Sequence, residues 1–228
     1  MEFFDSLIDN TLSLISPFEQ KSIKKSEPWH DTGCNQVILQ RDTACQLDGV
    51  GFNLITSNNV QDEIVVIGND IAALKGDVPF ARISIIQIDG SDDEQKAYNL
   101  IKKIEYVKYH CHPDGYMIRT ASRSHKEIIR VSKDALKSGI DFSKIGSLYI
   151  EKYKEISAVK GVKIVFITHP KAAFKAFESI AQKNSSITEA LNHVMNSINF
   201  DCNTCNLKAI CDEVEGMKEL HFKNAGMK

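Results

Sequence analysis

Three of the six cysteines in this 228-residue sequence fall within ten residues, at Cys202, Cys205 and Cys211, and His221 follows ten residues later. A Cys-x2-Cys pair offers two thiolates to one soft metal centre from a single turn. The short step to Cys211 adds a third thiolate with little loop-closure entropy to overcome. Buried structural cysteines need no such clustering, and three reduced surface thiols would be open to oxidation. The segment is therefore expected to hold a metal or a cluster, with Cys202, Cys205, Cys211 and His221 as candidate ligands and the rest of the chain as its scaffold. Zinc accepts a Cys3His set. An iron–sulfur cluster prefers four thiolates, and histidine can stand in for cysteine with a rise in potential. Spacing alone does not separate zinc from iron and sulfide.

Composition narrows the context of that segment. A net charge of -2 gives no reason to expect nucleic acid or an anionic membrane as a partner. No apolar run approaches the roughly 20 residues of a membrane-spanning helix. Met1-Glu2-Phe3-Phe4-Asp5 is acidic where a secretory signal would be basic, so a cytoplasmic address is expected. In that compartment six cysteines point to metal or redox chemistry rather than to disulfides.

The pattern divides the chain into three parts. Residues 1–34 read as an amphipathic N-terminal helix over 2–15, with Phe3, Phe4, Leu7, Ile8, Leu12 and Ile15 on one stripe, followed by a polar arm that Trp29 anchors. Residues 35–184 read as an α+β domain, a mixed sheet with flanking helices. Its β-branched runs lie at 37–39, 52–55, 64–68, 80–88, 116–118, 127–131 and 162–168, and a helix covers 92–109. Asn69 or Asp70 is expected to cap a short helix, Ser132 to cap another that ends at Gly139, and a further helix covers 143–156. Pro170 is expected at the first position of the next helix. Residues 185–228 read as a last helix over 187–198 that delivers the chain to the cysteine-rich segment.

Other clusters read more plainly. Cys34 and Cys45 are expected as small buried residues. His110-Cys111-His112 could bind a metal, yet a histidine at a helix end gains from the macrodipole, and that reading is preferred. Arg119, Arg123, His125, Lys126, Arg130 and Lys133 could face an anionic cofactor or an acidic partner; a solvated face is the reading preferred. The sequence shows no phosphate-cradling glycine loop and no recognisable nucleophile motif.

Taken together, several stretches resemble the middle domain of the acetyl-CoA synthase subunit of the carbon monoxide dehydrogenase/acetyl-CoA synthase complex. They are Arg41–Gly49, Asp62–Ile71, Arg130–Ala135 with Gly139 and Phe142, and Val162–Thr168, in that order, and the resemblance runs over roughly 36–221. It implies that Cys202, Cys205 and Cys211 match the first three cysteines of the family's [4Fe-4S] cluster, with His221 where the family has its fourth. The family's nickel-binding Cys-Gly-Cys motif does not occur before Lys228. The resemblance thus implies an iron–sulfur protein with an electron-transfer or accessory role in anaerobic one-carbon metabolism, rather than a complete synthase. It also implies a protein partner from one-carbon or redox metabolism and an anionic cofactor such as coenzyme A. The rival reading is a zinc-stabilised protein-interaction module. An enzyme acting on a bound acyl or methyl group ranks last, since no general base or nucleophile stands out for it.

Overall fold

The two longest strands, β2 (Thr43–Thr56) and β4 (Gly76–Ile88), lie side by side and parallel in the middle of one mixed sheet. The computed structural model describes residues 4–89, 94–121, 125–195 and 210. Around the central pair are β1 (Lys21–Ile23), β3 (Glu63–Ile67), β5 (Tyr116–Ala121), β6 (Lys126–Ser132) and β7 (Val159–Ile167), in the order β1-β3-β7-β4-β2-β6-β5. Only β2/β4 and β3/β7 run parallel; the other neighbours are antiparallel. The architecture is therefore α+β with a mixed seven-stranded sheet. Its helices are α1 (Asp5–Ile15), α2 (Glu94–Tyr109), α3 (Lys133–Lys137), α4 (Phe142–Lys154) and α5 (Phe174–Met195).

Burial along β2 changes halfway. From Cys45 to Asp48 buried and more open positions alternate, as expected of a sheet with one wet face, whereas from Val50 to Thr56 every residue is buried. The same change occurs in β4 at Phe80. Helices cover both faces there: α4 packs on β7 and β3, α5 on β2 and β4, and α1 on β2. Ladder register then assigns the side chains. Val50, Phe52 and Leu54 of β2, with Ala81, Ile83 and Ile85 of β4, form an apolar layer. Gly51 and Asn53 pair with Arg82 and Ser84 on the opposite face, which meets α4. Phe80, Phe142 and Phe166 stack on that face, the Phe142 and Phe166 rings 4.4 Å apart.

Capping follows the expected chemistry. The Ser132 hydroxyl accepts from the Ala135 N–H at 3.0 Å and starts α3, and the Asp141 carboxylate accepts from Lys144 N at 2.8 Å and starts α4. Asp70 caps a single 3-10 turn at Ile71–Ala73 and also accepts from Phe142 N at 2.9 Å, which ties β3's end to α4. Trp29 anchors the arm: its indole N–H donates to the Asp114 carbonyl at 2.7 Å, and Lys144 Nζ lies 5.3 Å from its ring centroid.

Four expectations need correction. Residues 37–39 form no strand: Val37 and Leu39 are 72% and 49% exposed, and only Ile38 turns inward. The strand begins later, at Thr43, and runs through Gly49 and Gly51 to Thr56, well beyond the expected run at 52–55. Pro170 sits in a turn, with Ala172 N–H bonded to the His169 carbonyl, and α5 starts at Phe174. That helix then runs unbroken through Asn184, Ser185 and Ser186, so no separate helix begins at 187. Cys34 is exposed, unlike Cys45. Among the described residues, no helix is long and apolar enough to cross a membrane.

Candidate functional site

The described part of the chain buries an unusual amount of charge, and it does so where three elements converge. On α2, Ile101, Ile104, Glu105 and Lys108 follow the i, i+3, i+4, i+7 stripe that faces inward. Ile101 and Ile104 fill it conventionally; Glu105 and Lys108 bring a carboxylate and an ammonium to the same face. Across from them, β4 contributes Arg82 and β6 contributes Glu127, at 0% and 1% exposure.

Arg82 and Glu127 form a two-pronged ion pair. Arg82 Nε donates to Glu127 Oε1 at 3.0 Å and Nη2 donates to Oε2 at 2.8 Å. The remaining prong, Nη1, donates to Ser84 Oγ at 2.9 Å, and the guanidinium lies 4.7 Å from the Tyr149 ring centroid. Burial alone would lower the Arg82 pKa, but the facing Glu127 carboxylate raises it well above its ordinary value. β2 lies between the two strands, so the pair passes over Gly51; a Cβ there would sit 1.5 Å from Glu127 Oε2. Glycine is required at that position for room.

A second chain of contacts starts at α4. Tyr153 donates its hydroxyl to Asn53 Oδ1 at 2.7 Å, and Asn53 Nδ2 donates to Glu105 Oε1 at 3.1 Å. Burial raises the Glu105 pKa, with Lys108 and the Asn53 bond opposing it. Lys108, 2% exposed, places Nζ against Nδ1 of His125. Burial pulls the Lys108 pKa down to about 8, against the upward pull of Glu105 and Glu127. Burial, then Lys108 and Arg82, lowers His125 to about 4. The imidazole is therefore neutral at physiological pH. While Lys108 is charged it donates to Nδ1, which leaves the ring proton on Nε2. That Nε2 is buried and has no partner among the described residues. His125 also holds a left-handed backbone, φ 49°, and its carbonyl accepts from Gly51 N.

Two cavities flank the Lys108–His125 contact and share Tyr109 as a wall. One, of about 420 Å³, lies between the end of α2, the turn after it and edge strand β5, with Lys108, His112 and Arg119 in its lining. The other, of about 380 Å³, lies between α2 and α5, with Glu105, Tyr106 and His125 in its lining.

The residues singled out from sequence are placed as follows. Cys202, Cys205, Cys211 and His221 lie outside the described residues. Ile210, next to Cys211 in sequence, is half-buried against the core. Among the described residues, no three metal-ligating side chains converge. Cys111 is fully buried with its thiol pKa pushed far up by burial, while His110 stacks on Tyr106 at 3.4 Å between ring centroids. The basic run does not converge either. Arg130 donates to Gln46 and to the Ile38 carbonyl, Lys133 to the Arg41 carbonyl, and Lys126 pairs with Asp48 at 3.5 Å. Arg123 lies outside the described residues, and only Arg119 and His125 reach the cavities.

Arg82, Glu127, Glu105 and Lys108 were missed. The available signal was an arginine inside the apolar strand run Phe80–Ile88 and a glutamate at an inward register of Lys126–Val131, two charges that burial tolerates only as a pair.

A protein-family model described as the CO dehydrogenase/acetyl-CoA synthase complex beta subunit matches residues 16–173, more than half of the chain. The match begins earlier than the expected resemblance, taking in the arm, and ends before the cysteine segment. A search of curated proteins finds no match.

Proposed function

Because the chain belongs to the family of the CO dehydrogenase/acetyl-CoA synthase complex beta subunit, we propose that it is an iron–sulfur protein serving electron transfer or an accessory role in one-carbon metabolism. Cys202, Cys205, Cys211 and His221 hold the cluster, of [4Fe-4S] type. The observation that carries the reading is the Cys-x2-Cys-x5-Cys spacing on a chain of this family. The donor set suits the group: three thiolates are soft ligands of high affinity for iron and sulfide, and one imidazole completes four. When bound, the cluster supplies one-electron transfer.

The chain's own residues do the rest. Next to Cys211 in sequence, Ile210 is half-buried against the core. The thiolates balance the cluster's charge, and the imidazole, being neutral, shifts its potential upward relative to a fourth thiolate. The partner is a protein of the same one-carbon or redox chemistry, docking near the cluster. In the alternative, the same donor set holds zinc and the domain acts as a protein-interaction module.

Anaerobic purification followed by reduction with dithionite tests the reading. The iron–sulfur protein is coloured and bleaches on reduction, whereas a colourless, redox-silent protein holding zinc replaces the proposal by its alternative.

A further inference from the structure

We infer that the cavity floored by Lys108 is a binding site for a small oxyanion, a carboxylate or a phosphate group. Its lining carries Lys108, His112 and Arg119, with Thr120 beside them, and no aspartate or glutamate. The cations stand at two depths: Lys108 is 2% exposed, whereas Arg119 is exposed on the outer wall.

Neither has an ion pair among the described residues, although Glu105 and Glu127 act on Lys108 from beyond pairing distance. Glu127 is engaged on both oxygens by Arg82, and Glu105 accepts from Asn53. Among the described residues no carboxylate comes within ion-pair distance of Lys108, whose Nζ meets only the His125 ring nitrogen at hydrogen-bonding range. Arg119 has neither an ion pair nor a side-chain hydrogen bond among the described residues. Asp31, the acid nearest His112, is taken by Lys152 at 3.2 Å. For Lys108 the cost of burial outweighs the pull of Glu105 and Glu127, and an anion in the cavity offsets that cost.

The site is also preformed. Asn35 from the arm uses both ends of its amide on the backbone of Ile118, accepting from the N–H at 3.2 Å and donating to the carbonyl, which fixes the β5 wall. Lys108 supplies a point charge at the floor and Arg119 a planar fork at the mouth, an arrangement that suits an oxyanion whose oxygens bridge the two. This inference is independent of the cysteine segment, so neither stands or falls with the other.

Calorimetric titration of the full chain, at fixed ionic strength in chloride, tests it with sodium acetate in one arm and inorganic phosphate in the other. Saturable binding of acetate alone identifies a carboxylate site, and of phosphate alone a phosphate site; binding of both shows that the cavity reads the shared oxyanion chemistry. Arg119→Gln weakens the binding roughly tenfold, the worth of one charge-assisted hydrogen bond. Lys108→Met abolishes it, with circular dichroism checking that the fold persists. No saturable binding in either arm, or binding that both substitutions leave unchanged, overturns the proposal.

Discussion

Arg82 and Glu127 join strands that are not neighbours: β4 and β6 flank β2, and the ion pair bridges them through the space that Gly51 leaves empty. Each strand step is about 4.8 Å, so only a long side chain meeting a medium one can span two of them. The pair thereby ties three strands together on the face that meets α4.

Breaking this pair on one side leaves a buried charge without its partner. Glu127→Ala or Arg82→Met should each cost roughly 3–5 kcal/mol, whereas the double replacement Arg82→Met with Glu127→Leu should be near neutral. Gly51→Ala should resemble the single variants, because its Cβ takes the place of Glu127 Oε2. Urea denaturation of the four variants measures this; single variants no worse than the double one would contradict it.

Lys108 makes stability depend on pH. Its pKa is about 8 in the folded chain against an ordinary value of 10.5, so the unfolded chain binds the extra proton between those values and stability rises with pH across them. Below pH 8 the cost is fully present, roughly 3 kcal/mol by linkage. The buried thiols of Cys45 and Cys111 act the opposite way above about pH 9, since burial raises both. The Lys108 contribution is therefore read as a difference: wild type should gain on Lys108→Met from pH 8 to pH 10. A difference that stays flat with pH would count against a buried, charge-suppressed lysine.

The three described cysteines should separate by reactivity. Cys34 is exposed, whereas Cys45 has its pKa raised to about 11 and Cys111 is pushed higher still. A shift of two units leaves about a hundredfold less thiolate, before access is considered. Alkylation with iodoacetamide and peptide mapping should label Cys34 in the native protein and reach Cys45 and Cys111 only on unfolding.

Much of the fold was legible because its signals are local. Ser132, Asp70 and the β-branched runs at 64–68 and 162–168 act through their own neighbours in sequence; the two caps form, and each run falls on a strand that ends one residue earlier. The errors arose where tertiary context decides. Gly49 and Gly51 fall between the expected runs at 37–39 and 52–55 but lie within a strand, because the space above Gly51 is filled from β4 and β6. Val37-Ile38-Leu39 has strand composition, but only Ile38 finds a place inside. Arg82 and Glu127 lie 45 residues apart, and nothing in either run shows that the other completes it. The cysteine segment is the reverse case: the proposal for it rests on spacing, and the family match ends before it begins.

The most direct test of the central claim is the iron, acid-labile sulfide and zinc content of the anaerobically purified chain, measured beside Cys205→Ser. Iron and sulfide in equal amounts, both lost in the variant, is the result expected if Cys202, Cys205, Cys211 and His221 hold a [4Fe-4S] cluster. Zinc without sulfide, or metal content that Cys205→Ser leaves unchanged, would contradict it.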